Sequence, residues 1–177
     1  MQTNIVWSHA IRGTLLALAL STPAWSQPLI PPVADRVDLS GPRFGFTVLS
    51  NGIVDKLSRE SRIQVAPIVT QFGWQVEKQF FTRQDGPTAI TEGVVLLGGL
   101  EQGVVLPSLS WLVGIRTKGG RELGIGPNIT PVGTALAIAA GRTFRAGVLN
   151  VPVNLAVVPS KSGVRVSLLG GFSLRRS

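Results

Sequence analysis

The chain has 177 residues and a formal net charge of +8 at pH 7, yet charged residues make up only 15% of it. It contains no cysteine and no tyrosine, and its single histidine and single methionine, His9 and Met1, lie near the N-terminus. Once an N-terminal segment is removed, as predicted below, these absences exclude Ser-His-Asp and Cys-His nucleophiles, the usual zinc sites and haem ligation. The basic residues are scattered without interleaved aromatic residues, which argues against nucleic-acid binding.

Residues 1–26 have the pattern of a secretory signal peptide. Arg12 is followed by an apolar run at 15–20 that is too short to span a bilayer. The sequence AWS at 24–26 then fits the small-x-small pattern of a cleavage site. We therefore predict export and cleavage after Ser26, leaving 177 − 26 = 151 residues, enough for one domain with a real core. The alternative is a buried N-terminal helix. An exported chain without cysteine favours a bacterial source.

Residues 27–42 hold four prolines and predict an extended leader before the folded domain, which we place at 43–177. The domain is rich in Val, Ile, Leu, Thr and Phe and is divided by turn signals, a composition typical of all-β proteins. These signals are Asn51-Gly52, Asp85-Gly86, Gln102-Gly103, Gly119-Gly120, Ala146-Gly147 and Ser162-Gly163.

The spacing of the turns predicts long strands. Several glycines of these turns are 16 or 17 residues apart, as in 103 − 86 = 17. Subtracting about four residues per turn leaves strands of about 12 or 13 residues, whereas soluble proteins favour about 5 or 6 and membrane strands need about 9 to 11. About eight strands are predicted, at 43–50, 62–81, 87–97, 104–117, 121–128, 132–144, 149–158 and 163–174. Only residues 51–61 indicate a helix, because Ile53, Val54 and Leu57 would share one face.

The strands have one apolar side and one side of small and polar residues. In a soluble barrel the second side would face water and be rich in charge, but here it is mostly Gly, Ala, Ser, Gln and Asn. That composition suits the narrow lumen of an eight-stranded barrel, with the apolar side facing lipid. The predicted lumenal polar residues are Gln71, Gln75, Glu77, Glu92, Arg116 and Arg165. The predicted lipid-facing residues include Phe72, Trp74, Trp111 and Phe172.

Charges inside such a lumen need partners, so we expect Glu77 and Glu92 to pair with Arg116 and Arg165. The fold class predicted is therefore all-β: a single antiparallel up-and-down β-barrel of about eight long strands, with one short helix after the first strand. A closed barrel also leaves no long apolar edge strand exposed.

An export signal, a remaining chain near 150 residues, eight long alternating strands and the final strand VRVSLLGGF ending in Phe172 resemble the small outer-membrane β-barrel proteins of Gram-negative bacteria. The resemblance covers about 43–174 and is architectural. It implies an outer-membrane location, contact with membrane lipid and insertion by the barrel-assembly machinery.

The function expected is a structural or minor-pore role in the bacterial envelope, without enzymatic activity, cofactor, metal or nucleic-acid partner. The alternative is a soluble periplasmic or secreted, lipocalin-like barrel that binds an apolar small ligand, in which Trp74 and Trp111 would line the cavity. A two-carboxylate or Ser-Lys enzyme is a third hypothesis, and no short motif supports it.

Overall fold

Long antiparallel strands make up most of the residues that the computed structural model describes, 38–82 and 86–174. These residues belong to one compact unit, Ala34–Ser177. The predicted signal peptide and most of the predicted leader lie outside the described residues. The strands are β1 (Gly41–Leu49), β2 (Ile68–Thr82), β3 (Thr88–Gly98), β4 (Leu106–Arg116), β5 (Arg121–Thr130), β6 (Gly133–Ala146), β7 (Leu149–Ser160), β8 (Gly163–Gly171) and β9 (Ser173–Leu174).

Each strand from β1 to β8 pairs with its sequence neighbours, and β8 pairs with β1. The sheet therefore closes into an eight-stranded, antiparallel, up-and-down barrel, and β9 continues β8 along β7 after a break at Phe172. A helix of 11 residues, α1 (Asn51–Ser61), follows β1, and a short 3-10 helix, Leu100–Gln102, connects β3 to β4. The predicted fold class is confirmed.

The second strand begins later than predicted, at Ile68 instead of 62. Arg62 ends α1 in the left-handed conformation, with φ of 54°, and the amide of Ile63 donates to the carbonyl of Leu57. Pro67 then accepts a hydrogen bond from the amide of Leu49. Residues 62–67 therefore return the chain from the helix to the barrel. Polar and apolar residues continue to alternate through this segment. The sequence pattern therefore predicted that the strand began at 62.

The two ends of the barrel are different. At the terminal end, which holds the start of β1 at Gly41 and the end of β8 at Gly171, the chain also passes from β2 to β3, from β4 to β5 and from β6 to β7. At the helix end, β1 ends at Leu49 and α1 follows. One face of α1 is buried because Ile53 and Leu57, four residues apart, point the same way.

The helix α1 covers the mouth of the barrel at the helix end. Its buried side chains belong to an apolar cluster with residues of β1, β2, the β3–β4 connection and the β5–β6 turn. The Lys56 ammonium also donates to the carbonyl of Val132 at 3.0 Å. The helix thus contacts both the strand it leaves and the turn on the far side of the barrel. No helix among the described residues is long and apolar enough to cross a membrane.

Close approach of neighbouring strands requires glycine at lumenal positions such as Gly73. A Cβ built there would lie 1.9 Å from the carbonyl oxygen of Val95 on the next strand. Gly93, on the opposite side of the same β2–β3 pair, has nothing within 4 Å of the position of a Cβ.

We therefore expect Gly73→Val to destabilise the barrel by at least about 1–3 kcal/mol, the usual cost of overpacking, and Gly93→Val to have a much smaller effect. Urea unfolding followed by tryptophan fluorescence would measure both. Equal losses would contradict a close strand approach at Gly73.

The β3–β4 connection is tied to β2 through Glu101. Its carboxylate accepts hydrogen bonds from the hydroxyl and the amide of Thr70, and Gln102 donates to the carbonyl of Ile68 at 2.8 Å. The hydroxyl of Thr70, followed by its amide, lowers the pKa of Glu101 to about 2, because both bonds favour the charged carboxylate.

A pKa in the folded chain below the unfolded value of about 4.3 means that this connection adds stability above about pH 4.3 and loses it as the pH falls through about 2. A carbon-13 NMR titration of the Glu101 carboxyl should therefore have its midpoint near 2. Thr70→Val, which removes the largest contribution, should move the midpoint upward. A midpoint near 4.3 in the unchanged protein would rule out this bonding.

Candidate functional site

The structure places five of the six predicted lumenal residues in buried positions inside the barrel. Gln75, Glu77, Glu92, Arg116 and Arg165 are each at most 6% exposed, and the sixth residue, Gln71, is half-buried. Inward-facing positions alternate with outward-facing ones along every strand from β1 to β8. The lumen therefore holds the buried charges of the sheet, together with small apolar clusters around Leu112 and Val94.

The predicted lipid-facing residues lie on the outer surface. Phe72, Trp74, Trp111 and Phe172 are between 47% and 60% exposed. Exposed large apolar side chains occur on every strand of the closed barrel. The outer surface thus carries the large apolar side chains, whereas the buried charges lie on the inner surface.

Arg116 organises the terminal half of the lumen. Its Nη1 and Nη2 donate to the two oxygens of Glu77 at 2.6 and 2.5 Å. Its Nε and Nη2 donate to one oxygen of Glu122 at 3.0 and 2.7 Å. Glu92 lies 3.6 Å from Nη2. One guanidinium therefore neutralises parts of three buried carboxylates.

The strand register brings these groups together. Glu77 and Glu92 are direct neighbours across β2 and β3, and Arg116 is opposite Glu122 across β4 and β5. Two like charges directly opposite each other repel, and a buried charge without a partner is costly. Arg116 therefore compensates like charges that the strand register brings together.

A second guanidinium, Arg43, extends the cluster. Its Nε donates to Gln75 at 2.9 Å, and Gln75 in turn donates to Glu92 at 3.0 Å. Its Nη2 donates to the carbonyl of Leu39 at 2.6 Å, which holds the residues before β1 against the terminal end. We call Arg43, Gln75, Glu77, Glu92, Arg116 and Glu122 the carboxylate cluster.

Two members of this cluster, Arg43 and Glu122, were missed in the sequence prediction. Each lies near the start of its strand, where a single charge is usually solvated. The alternation of the strands could have identified both residues as inward-facing. Glu122 shares its side of β5 with Gly124 and Asn128, and Arg43 shares its side of β1 with Thr47.

The two arginines that we expected to pair with Glu77 and Glu92 lie at different ends of the lumen. The structure pairs Glu77 and Glu92 with Arg116, whereas Arg165 lies near the start of β8, at the helix end. Its Nη1 donates to the hydroxyl of Thr130 at 2.5 Å. Arg165 is therefore separate from the carboxylate cluster.

A cavity of about 100 Å³ occupies the lumen between the carboxylate cluster and α1. Hydroxyl and amide side chains line one part of it: Thr47 contacts Ser167 at 2.6 Å, and Asn128 donates to Ser108 and Ser110 at 2.9 and 2.8 Å. Apolar side chains of the helix end line the other part. They include Leu49, Ile53, Leu57, Val69, Leu106 and Val132.

The chemistry available in this lumen is binding and charge compensation. Within residues 38–82 and 86–174, no group of three His, Cys, Asp or Glu side chains is arranged to hold a metal ion. The three glutamates of the carboxylate cluster instead converge on a guanidinium. Comparisons with protein-family models, with curated proteins and with solved structures find no match for this chain.

Replacing Arg116 should leave the three carboxylates without their main partner. We expect Arg116→Met to reduce the free energy of unfolding by about 3–5 kcal/mol, the usual cost of breaking a buried ion pair by removing one partner. Urea unfolding of the refolded protein would measure it.

The matched control is Arg145→Met, which makes the same change at an exposed position of β6. A combined Arg116→Met, Glu77→Gln and Glu122→Gln variant should recover part of the loss, because two of the three unpaired charges are then removed. Equal stability of the Arg116 and Arg145 variants would show that the cluster does not stabilise the barrel.

Proposed function

We propose that this chain is an exported outer-membrane β-barrel protein with a structural role in a bacterial envelope. The observation that carries the proposal is the inversion of the barrel: apolar side chains cover the outside, and buried charges occupy the inside. In water the outer surface would expose one continuous apolar area, far larger than the few hundred Å² found on soluble monomers. Lipid is the solvent that favours this arrangement.

The dimensions of the strands support the same proposal. The eight strands of the barrel have between 9 and 15 residues. An 11-residue strand that rises about 3.3 Å per residue and tilts by about 40° spans roughly 28 Å along the barrel axis, close to the hydrocarbon thickness of a bilayer. The turns at both ends would then reach the headgroup regions.

Charges on the outer surface of the strands are concentrated at the terminal end. Arg121 and Arg142 are direct neighbours across β5 and β6, and both are exposed, as is Lys78 at the same end. Like charges directly opposite each other are unfavourable unless an anion lies between them. Lipid phosphates supply such anions, so this rim suits the headgroup layer.

The lumen supports a structural role better than a pore. The carboxylate cluster fills the terminal half, α1 covers the helix end, and the cavity between them is small. Eight-stranded barrels are in general just wide enough for side chains. A minor pore would need α1 and the cluster to rearrange.

Insertion into the outer membrane implies a partner, the barrel-assembly machinery. The final strand alternates outward Val164, Val166 and Leu168 with inward Arg165 and Ser167. Phe172 follows on the outer surface, where an aromatic residue would be accessible to that machinery. The absence of an enzymatic activity, a cofactor and a nucleic-acid partner stays a prediction.

The alternative, a soluble lipocalin-like barrel with an apolar ligand, has one observation in its favour, the apolar lining of the helix-end half of the lumen. Two observations weigh against it. The cavity of about 100 Å³ is smaller than the roughly 300–1,000 Å³ of typical ligand pockets. Trp74 and Trp111 point outward and do not line it.

An arginine placed in the middle of the outer surface separates the two proposals. Val113 lies mid-strand on β4 and is 50% exposed. Against lipid, Val113→Arg should cost about 2–4 kcal/mol and reduce the amount of inserted protein, because a charge near the bilayer midplane is expensive. Against water, the same change at an exposed position should alter stability by less than about 0.5 kcal/mol.

The experiment is fractionation of cells that express the full chain, followed by electrophoresis of unheated and boiled samples. The unchanged protein should fractionate with the outer membrane and migrate differently after boiling. Val113→Arg should lower the folded band, and Val148→Arg, in the exposed β6–β7 turn, should not. Release of the unchanged protein with the periplasm would overturn the membrane proposal.

A further inference from the structure

The unusual group in the helix-end half of the lumen is Arg165. It is 6% exposed, and its Nη1 donates to Thr130. Its Nε and Nη2 are buried and have no hydrogen-bond partner among the described residues. A buried donor that lacks a partner loses the free energy of its hydration, and the loss is larger for a charged group.

Arg165 also lacks a counter-ion in the part of the chain that the structure describes. The buried ion pairs there all belong to Arg116. Glu92 is the one carboxylate that lines the cavity, and it is already engaged by Gln75 and Arg116. The charge of Arg165 is therefore uncompensated on the side of the cavity.

We propose that this half of the lumen binds a small organic anion, a carboxylate on a short aliphatic body, with Arg165 as its anion-binding residue. Nε and Nη2 are the two nitrogens on one edge of the guanidinium, and their N–H groups are parallel. That edge matches the two oxygens of a carboxylate, which it binds in a bidentate manner.

The size of the cavity limits the ligand. A buried water needs roughly 10–15 Å³ of cavity volume, so a cavity of about 100 Å³ holds several waters or one molecule of about five to eight non-hydrogen atoms. Water alone would satisfy the two N–H groups of Arg165 but would supply no negative charge.

The rest of the lining fits the proposed ligand. Ile53 and Leu57 of α1 and Leu49 of β1 form an apolar wall of the cavity that Arg165 also lines. An aliphatic body against this wall would bury its apolar surface. The site lies inside the barrel and does not depend on whether lipid or water surrounds the outside, so it can be right when the membrane proposal is wrong, and the reverse.

The test uses butyrate, a carboxylate of six non-hydrogen atoms, and butyramide, its neutral counterpart, on the full chain folded in detergent micelles. Titration calorimetry should show binding of butyrate and much weaker binding of butyramide. The nitrogen-15 NMR signal of Arg165 Nε should shift with the same dissociation constant.

Arg165→Gln should weaken butyrate binding by about tenfold to a hundredfold, as expected from the loss of charged hydrogen bonds. Arg142→Gln makes the same change on the outer surface and should leave the affinity unchanged. Arg165→Lys keeps the charge and loses the parallel N–H pair, so its affinity should lie between those of the Gln variant and the unchanged protein.

Equal binding of butyrate and butyramide would overturn the proposal, as would no detectable binding of butyrate by the unchanged protein. Binding that leaves the Nε signal of Arg165 unmoved would place the ligand elsewhere and would also overturn it. If Arg165→Gln does not fold, the shift of the Arg165 Nε signal and the butyrate affinity of Arg165→Lys decide whether Arg165 binds the carboxylate.

Discussion

Closure of β8 onto β1 is the constraint on which the rest of this structure depends. Once the two strands pair, from Arg43 opposite Gly171 to Leu49 opposite Arg165, each strand has one side that must fit inside a ring of eight. Such a ring has little room, so the inner side accepts small residues and only a few long ones. The outer side is then left with the large apolar residues, since no other surface remains for them.

Charges inside this ring must compensate one another because water has little access. Arg116 does so for Glu77, Glu122 and part of Glu92, and Arg43 reaches Glu92 through Gln75. Three carboxylates thus face two guanidinium groups at the terminal end, while one guanidinium, Arg165, has no carboxylate beside it at the helix end. The charged side chains of the described lumen are therefore divided along its axis, with the three carboxylates at the terminal end and the unpaired guanidinium of Arg165 at the helix end.

The fold could be predicted from the sequence because two signals agreed along the whole domain. The turn glycines, such as Gly103, Gly120 and Gly163, set the strand lengths, and the alternation set which side of each strand is small and polar. The predicted start of the second strand was wrong because polar and apolar residues also alternate at 62–67, where the chain has no partner strand. The alternation within one segment does not show where strand pairing starts. The register could not be predicted, since it follows from closure of the whole ring.

The sequence predicted most of the residues that lie inside the barrel, but it did not predict how these residues are arranged along the barrel axis. The alternation of each strand alone predicts that four side chains point inward: Gln75, Glu77, Glu92 and Arg116. The separation of Arg165 from the glutamates follows from the direction of the strands, which the predicted pairing did not take into account. Even-numbered strands run from the helix end to the terminal end, so Arg116, late in β4, and Arg165, early in β8, must lie at opposite ends.

The position of α1 matters because this helix covers the end of the lumen that contains Arg165. The helix covers the end where Arg165 is uncompensated, and the other end is closed by the carboxylate cluster and by Leu39 against Arg43. An ion that crossed the barrel would have to pass both the cluster and the helix, whereas a ligand of Arg165 would have to pass only the helix. Its buried face is held by two residues, Ile53 and Leu57, and by the contact of Lys56 with Val132. The helix is therefore held at the mouth by a few side-chain contacts, whereas the strands around the cavity are held by the continuous backbone hydrogen bonds of the closed sheet.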